Sequence, residues 1–360
     1  MSRAVGTLVC AGELVAADAH SLALLDESPG DPVMAEHMVL ARAGVARRTG
    51  DLVRCSSLLD VLRDNGVEDE IRPVVLLWSV ELLVARGEPR AAETLLLDHD
   101  VHAKIETSHP DRALLLAAAA VVAMATGRPR DALAGHLACG REFTEAGVLN
   151  PAVLPWRSWA SRAALSCGDT DEAMRLAREE HAAAARWGEP RTLGWSLSAV
   201  AASSPDGEDL VAYERAVRLL ELAHARKELA EVLCDYGARL AAQGRQAYEI
   251  YAQARATALD AGDTAVVRRA EEAMAAAAWG GEPVLTPVET EIARFVRAGL
   301  PNRAIAARLA MATRTVELHL TRVYRKLGLS GRRELRATGW AGLHQKTLRS
   351  DRDAPAGSSG

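Results

Sequence analysis

The sequence is poor in aromatic residues and in lysine. Aromatics make up 4% of the 360 residues, and the lysines are Lys104, Lys227, Lys326 and Lys346. Strands favour aromatic and β-branched residues, whereas the alanine and leucine that dominate here are good helix formers. The composition therefore predicts an all-α protein.

Cysteine is also scarce, and the five cysteines form no CxxC pair. This odd number without a paired motif indicates small buried side chains in a reducing compartment, not a disulfide scaffold. The first residues do not resemble a signal peptide, and the longest apolar run, near Leu114 to Thr126, is shorter than the roughly 18 residues of a membrane helix. We expect a cytoplasmic protein that needs no membrane.

Motifs that indicate an enzyme are missing too. The chain has no phosphate loop of the form G-x-x-x-x-G-K-[ST], no nucleophile elbow and no convincing set of metal ligands. We therefore predict a protein that is not an enzyme and that uses no cofactor.

The formal net charge of −5 is unevenly distributed. Residues 285–350 carry 13 Arg and Lys against 4 Asp and Glu, whereas residues 1–284 carry 29 against 42. A basic C-terminal segment on an acidic body indicates a polyanionic partner for the basic segment.

A weak repeat runs through the acidic body. An apolar segment ends at glycine, one or two polar residues follow, and a second helical pattern begins; successive glycines lie 37 to 41 residues apart. Glycine can adopt the left-handed conformation that ends a helix, and a period near 39 is typical of stacked helical hairpins. The glycines are Gly12, Gly50, Gly87, Gly127, Gly168, Gly207 and Gly244.

This period predicts a tetratricopeptide-like solenoid of about seven helical repeats over residues 1–279. We expect small side chains five residues after most of these glycines to let paired helices approach closely. The predicted pairs include 191–202 with 209–226 and 228–242 with 246–261, and a helix at 264–278 would end the stack. The curved inner surface would bind an effector or a protein whose identity the sequence does not give.

A second, smaller domain is predicted over residues 285–346, after a linker at 280–284 that contains Gly280, Gly281 and Pro283. "LTPVETEIARFVRAGL" begins with a capping box of Thr286 and Glu289, and Asn302 is the expected cap of a second short helix. A tight turn then leads to "TRTVELHLTRVYRKLG", which gives the layout of a helix-turn-helix. Residues 347–360 are expected to be a disordered tail.

The helix after the turn carries two organised faces. One is an apolar stripe, which we expect to pack on the two preceding helices: Val316, Leu320, Val323, Tyr324 and Leu327. The opposite face would enter the major groove of double-stranded DNA. Basic residues around that face would contact phosphates: Arg303, Arg314, Arg322, Arg325 and Lys326.

"LTPVE", "GLPNRAIAARL", "TVELHL" and "YRKLGL…R.EL" resemble, in this order, the C-terminal domain of LuxR-type (NarL/FixJ-type) transcription regulators. The resemblance covers about residues 284–343 and implies a four-helix domain that recognises promoter DNA. It implies that Glu317, Leu318 and Thr321 read bases. It also implies capping, scaffold or backbone-contact roles for Asn302, Thr315, His319 and Arg332.

The resemblance further implies a homodimer on DNA through a fourth helix, near Gly331 to Leu343, and RNA polymerase as a partner. Ala312 stands where the family commonly has Ser or Thr as the cap of the recognition helix, with Thr313 as a possible substitute. The repeat segment resembles, more weakly, the C-terminal half of large LuxR-type regulators that include the maltose regulator. Those proteins begin with an ATP-binding domain, for which this sequence has no motif.

The sequence thus predicts a sequence-specific transcription regulator, an activator in our interpretation, with the solenoid as sensor. The alternative is a helical-repeat adaptor whose terminal domain tethers nucleic acid. Two further clusters have an ordinary and a functional interpretation. His99, His102 and His109 would lie in a solvated loop or bind a metal, and four tryptophans would be core residues or line a groove: Trp156, Trp159, Trp187 and Trp195.

Overall fold

The computed structural model describes residues 2–27, 30–65, 67–107, 111–204, 209–280, 285, 287–309, 311–327, 329 and 331–337. Within these ranges all regular structure is helical, which confirms the predicted fold class. No helix in the described part of the chain is both long and apolar enough to cross a membrane. The chain divides into two compact units, Met1–Ala275 and Ala276–Gly360.

The helices of the first unit follow one another at short intervals, and the last of them, α16, extends five residues past the boundary at Ala275. They are α1 (Ser2–Ala11), α2 (Leu14–Glu27), α3 (Pro32–Thr49), α4 (Leu52–Asn65), α5 (Arg72–Ala85), α6 (Pro89–Asp98), α7 (Val101–Glu106), α8 (Arg112–Ala125), α9 (Pro129–Glu145), α10 (Trp156–Ser166), α11 (Thr170–Trp187), α12 (Pro190–Ser203), α13 (Asp209–Leu222), α14 (Arg226–Ala242), α15 (Tyr248–Ala261) and α16 (Thr264–Gly280).

These helices form successive hairpins. From α1 to α15 each helix packs on the next in the chain, and alternate helices such as α10 and α12, or α12 and α14, also touch. The predicted helices at 191–202, 228–242, 246–261 and 264–278 are confirmed within about two residues, whereas the helix predicted over 209–226 ends earlier, at Leu222. The arrangement is consistent with the predicted solenoid, and the repeat number and the domain bounds remain predictions.

The glycine pattern has the expected physical basis. The repeat glycines in the described residues all have positive φ, between 68° and 82°, and Gly207 lies outside those residues. The residue five positions later is completely buried in five hairpins: Ala17, Cys55, Ala92, Ala132 and Ala173. Small side chains are therefore fully buried at this position of the repeat, and their part in close helix packing stays a prediction.

A long-range seam joins early turns to late ones within the first unit. Trp187 Nε1 donates to the Cys10 carbonyl at 3.1 Å, and Arg226 Nε donates to the Thr49 carbonyl at 2.9 Å; both pairs are 177 residues apart. The Thr264 hydroxyl donates to the Arg86 carbonyl at 2.7 Å, over 178 residues. Within the first unit, interhelical turns that lie 177 or 178 residues apart in the sequence are therefore in contact.

The seam requires glycine where the backbones come closest. Gly50 has φ +70°, and a Cβ on it would lie 2.6 Å from the backbone nitrogen of Lys227. Gly168 has a similar φ of +80° but open space around it. The glycine at position 50 therefore serves both the helix end and the contact between distant turns.

The second unit contains four described helices, α17 (Pro287–Arg297), α18 (Asn302–Arg308), α19 (Thr313–Lys326) and α20 (Arg332–Ala337). α17 packs on each of the other three, and α18 packs on α19. Gly299, with φ +87°, ends α17, since the Leu300 N–H returns to the Phe295 carbonyl. The linker residues 281–284, Thr286 of the capping box and the tail 347–360 lie outside the described residues.

Candidate nucleic-acid interface

One side of α19 is fixed by the core of the second unit. Val316, Leu320 and Val323 are at most 3% exposed, and they pack with Ile292 and Val296 of α17. Ile305 and Ala306 of α18 and Leu335 of α20 complete this cluster, and Tyr324 and Leu327 pack against its edge. The predicted stripe is confirmed, and it sets the rotation of α19 about its own axis.

A clamp from Arg332 ties α20 to the turn before α18. Its Nη1 donates to the Asn302 side-chain oxygen at 2.6 Å, and its Nη2 donates to the Leu300 carbonyl. Pro301 stands at the N-cap of α18, and no side chain caps that helix, so the capping role predicted for Asn302 is wrong. Asn302 instead holds the turn between α17 and α18 through Arg332.

The clamp reaches the edge of α19 through Tyr324. Burial raises the pKa of the Tyr324 hydroxyl, and the neighbouring Arg332 guanidinium opposes that shift. Arg332 thus lies close to three of the four helices of this unit. Sequence reasoning flagged Arg332 only through the family resemblance, because its partners lie eight to 32 residues away and no local pattern connects them.

The recognition helix begins without a Ser or Thr cap. The Ala312 carbonyl accepts from the N–H groups of Thr315 and Val316, at 3.0 and 3.3 Å, and Thr313 is the first helical residue. The departure from the family pattern at Ala312 therefore does not prevent the helix from starting at Thr313.

The three residues predicted to read bases lie on the exposed side of α19. Glu317 and Thr321 are exposed, and Leu318 is 58% exposed although it is apolar. At 100° per residue, Leu318 lies opposite the buried stripe. The Thr321 hydroxyl donates to the Glu317 carbonyl at 3.0 Å. This face thus presents the Glu317 carboxylate, which has no ion-pair partner among the described residues, beside the apolar side chain of Leu318.

Basic side chains surround this face. Arg303, Arg314 and Arg322 are exposed, and none of them has an ion-pair partner among the described residues. The side chains of Arg325 and Lys326 lie outside what the structure describes, although their backbone belongs to α19. Three arginines are thereby available to an external anion without first breaking an internal pair.

Thr315 and His319 occupy the border between the buried stripe and the exposed face, and both are half-buried. The Nδ1 atom of His319 is buried and has no hydrogen-bond partner among the described residues. Both residues are placed to support α19 from its side, and whether either contacts a DNA backbone remains a prediction.

The two other candidate clusters lie in the first unit. His99 is the C-cap of α6 and His102 lies in α7, a short helix within the stretch interpreted from sequence as a solvated loop or a metal site; His109 is outside the described residues. Trp195 is 6% exposed, Trp156 and Trp159 are half-buried, and Trp187, 39% exposed, serves the long-range seam. A core or packing role therefore accounts for these tryptophans.

Comparison with known proteins identifies the second unit. Residues 283–337 match the family described as "Bacterial regulatory proteins, luxR family". Over 67 residues the chain is 48% identical to proteins of Mycobacterium bovis and of two Mycobacterium tuberculosis strains, each named "Putative HTH-type transcriptional regulator". The matched segment is 19% of this chain and spans 7% of the length of those relatives. The C-terminal unit therefore contains a LuxR-family helix-turn-helix domain.

Proposed function

We propose that this chain is a cytoplasmic, sequence-specific transcription regulator that binds promoter DNA through α19. The observation that carries the proposal is the orientation of this helix. Its apolar stripe is locked against α17, α18 and α20, so Glu317, Leu318 and Thr321 face outward together. A single helix with an outward polar face fits the major groove of B-form DNA, which is about 12 Å wide.

The charges support the same proposal. Arg303, Arg314 and Arg322 are exposed and unpaired among the described residues, so they can neutralise phosphates on either side of the groove. The family and the names of the relatives agree with a DNA-binding regulator. The Arg332 clamp would keep α18 and α19 in one orientation during binding.

The first unit is proposed as the sensor or partner-binding module. Stacked helical hairpins form extended surfaces that bind peptides, proteins or small ligands. We also propose that the chain acts as a homodimer on two half-sites and activates transcription by contacting RNA polymerase. These finer steps rest on the family resemblance.

Selection of duplexes from a random pool by the 360-residue chain tests the proposal. A regulator enriches one sequence and binds it at least about a thousandfold more tightly than random duplex. With five or six phosphate contacts, log K should fall against log salt concentration with a slope of about −5. Equal affinity for all duplexes would instead favour the adaptor alternative, in which the domain tethers nucleic acid without reading it.

Single substitutions then test the assigned geometry. Glu317→Ala and Thr321→Ala should change which sequence is enriched, because these side chains face the base edges. Arg314→Ala should weaken binding to all duplexes alike, because a phosphate contact carries no sequence information. A uniform loss from all three variants would contradict the placement of α19 in the groove.

A further inference from the structure

The exposed face of α19 has an apolar centre in a basic surround. Leu318, the most exposed large apolar side chain of the described second unit, lies opposite the buried stripe. Arg314, one turn before it, and Arg322, one turn after it, are exposed and charged. Phosphate binding by Arg314 and Arg322 does not explain why a leucine is exposed between them.

The hydrogen bond of Thr321 extends this apolar centre. Its hydroxyl donates to the Glu317 carbonyl one turn earlier, at 3.0 Å, so its one proton is used within the helix and the hydroxyl can only accept from a ligand. The γ-methyl group is the apolar part of this exposed side chain. Residues three apart on a helix are neighbours, so the Leu318 side chain and the Thr321 methyl form one apolar patch.

In B-form DNA the group that matches such a patch is the 5-methyl of thymine. It is an apolar feature of the major-groove edge, and it distinguishes thymine from the other bases. We propose that Leu318 and Thr321 select thymine through its 5-methyl group, with the Thr321 hydroxyl playing no part in base reading. This inference rests on the proposed function, since it names what α19 reads in its operator.

Glu317 completes the proposed recognition. Its exposed carboxylate lies beside the apolar patch, has no ion-pair partner among the described residues and can only accept hydrogen bonds when ionised. Exocyclic amino groups of cytosine or adenine are the donors that the major groove offers to it. The preferred operator should therefore contain thymine next to cytosine or adenine.

The test uses the operator that the full chain selects from a random pool. Each thymine is replaced in turn by deoxyuridine, which removes one methyl and leaves base pairing unchanged. One buried methyl corresponds to about a fourfold change in affinity. We expect that loss at one or two thymines, and no comparable loss at the others.

Matched variants assign the contact. Thr321→Ser keeps the hydroxyl and removes the methyl, whereas Thr321→Val keeps the methyl and removes the hydroxyl. Thr321→Val should retain the thymine preference, and Thr321→Ser and Leu318→Ala should lose it. In these two variants, deoxyuridine at the matched position should cause no further loss. Val288→Ala, which removes an exposed apolar side chain from α17, should leave the preference unchanged.

The results that would contradict the proposed function differ from those that would contradict only the thymine contact. If the pool yields no enriched sequence, the proposed function fails and the inference fails with it. If a sequence is enriched but every thymine tolerates deoxyuridine within twofold, the inference alone is wrong. It is equally wrong if Thr321→Ser keeps the preference while Thr321→Val abolishes it, because the hydroxyl would then read the base.

Discussion

Largely buried cations of the first unit and exposed cations of the second unit have different surroundings. In the first unit three such side chains are paired inside the helix stack: Arg191 donates to Glu228, Lys227 Nζ lies 2.6 Å from Glu231, and Arg162 lies 2.6 Å from Asp235. In the second unit Arg303, Arg314 and Arg322 face outward with no ion-pair partner among the described residues. Charge at these positions therefore stabilises the fold in the first unit and is available to a ligand in the second.

The paired groups of the first unit also shift one another's pKa. Burial acts to raise the pKa of Glu228, but the charges of Arg191 and Lys227 outweigh it and lower that pKa. Burial likewise acts to lower the pKa of Lys227, and Glu231 and Glu228 outweigh it. The paired groups thus hold one another in the charged state.

Breaking an internal pair should give the largest effect. Arg191→Met leaves Glu228 buried, at 5% exposed, without its main partner, and should lower the free energy of unfolding by about 3–5 kcal/mol. The double variant with Glu228→Leu should recover most of that loss, since an apolar pair needs no compensation. Urea denaturation of the full chain measures both.

Arg175→Met is the matched control. Arg175 is 51% exposed and pairs with Glu172 and Glu179 on its own helix, so the loss should stay below about 1 kcal/mol. An equal loss for Arg175→Met and Arg191→Met would mean that burial does not distinguish the two networks.

Substitution at the seam should rank second. Gly50→Ala combines a positive φ with a Cβ that would overlap the Lys227 backbone, and should cost about 2–4 kcal/mol. Gly168→Ala has the same backbone strain but open space, and should cost about 1–2 kcal/mol. Thermal unfolding of the two variants compares them, and identical losses would show that the seam contact contributes nothing.

Glu180 should respond to pH in the opposite sense to Glu228. Burial raises its pKa to about 7, against the attraction of Arg157, whose Nη1 lies 3.6 Å away. Because the folded state holds the proton more tightly, the stabilising contribution is complete below about pH 4.5 and is lost as the pH rises towards 7. Glu180→Gln should therefore stabilise the chain at pH 8, by up to about 3 kcal/mol, and have little effect at pH 4.5.

Unfolding midpoints of the wild type and Glu180→Gln, measured from pH 4.5 to 8, test this sign. A variant that is less stable than the wild type at pH 8 would mean that the ionised carboxylate is stabilised by Arg157 more than it is penalised by burial.

Removing one outward arginine should have the smallest effect. Arg322→Ala should make the slope of log K against log salt less steep by about 0.9 and reduce affinity severalfold for every duplex. Arg294→Ala, which removes an arginine paired with Glu291 on α17, is the control and should leave the slope unchanged. Fluorescence anisotropy at several salt concentrations measures both, and a change in sequence preference for Arg322→Ala would assign it to base reading instead.

Local features of both units could be predicted from the sequence because they depend on neighbouring residues. The repeat glycines adopt positive φ, the small residues five positions later are buried, and the α19 stripe is buried on α17 and α18. Each of these follows from helix geometry and from the conformational freedom of glycine. The DNA-binding domain was recognisable because several short motifs occur in the same order as in the LuxR family.

Long-range contacts could not be predicted in this way. The Arg332 clamp joins residues about 30 positions apart, and no local sequence pattern reveals it. The sequence therefore predicts the wrong role for Asn302, as a helix cap. Short helix α7 lies in a polar stretch with no clear periodicity. The pairing of Arg191 with Glu228 across 37 residues depends on how adjacent hairpins pack, which local propensity does not specify.

The constant interval of the seam also limits how this chain can change in length. An open stack of hairpins can gain or lose a unit at little cost, because each unit touches only its neighbours. Here the insertion or deletion of one 39-residue hairpin between Arg86 and Trp187 would change the separation of all three bonded pairs, so the three hydrogen bonds would be lost together. Variants that still fold should therefore differ in the length of loops outside this interval. Alternatively, they should gain or lose about 177 residues, which is the separation of two bonded turns.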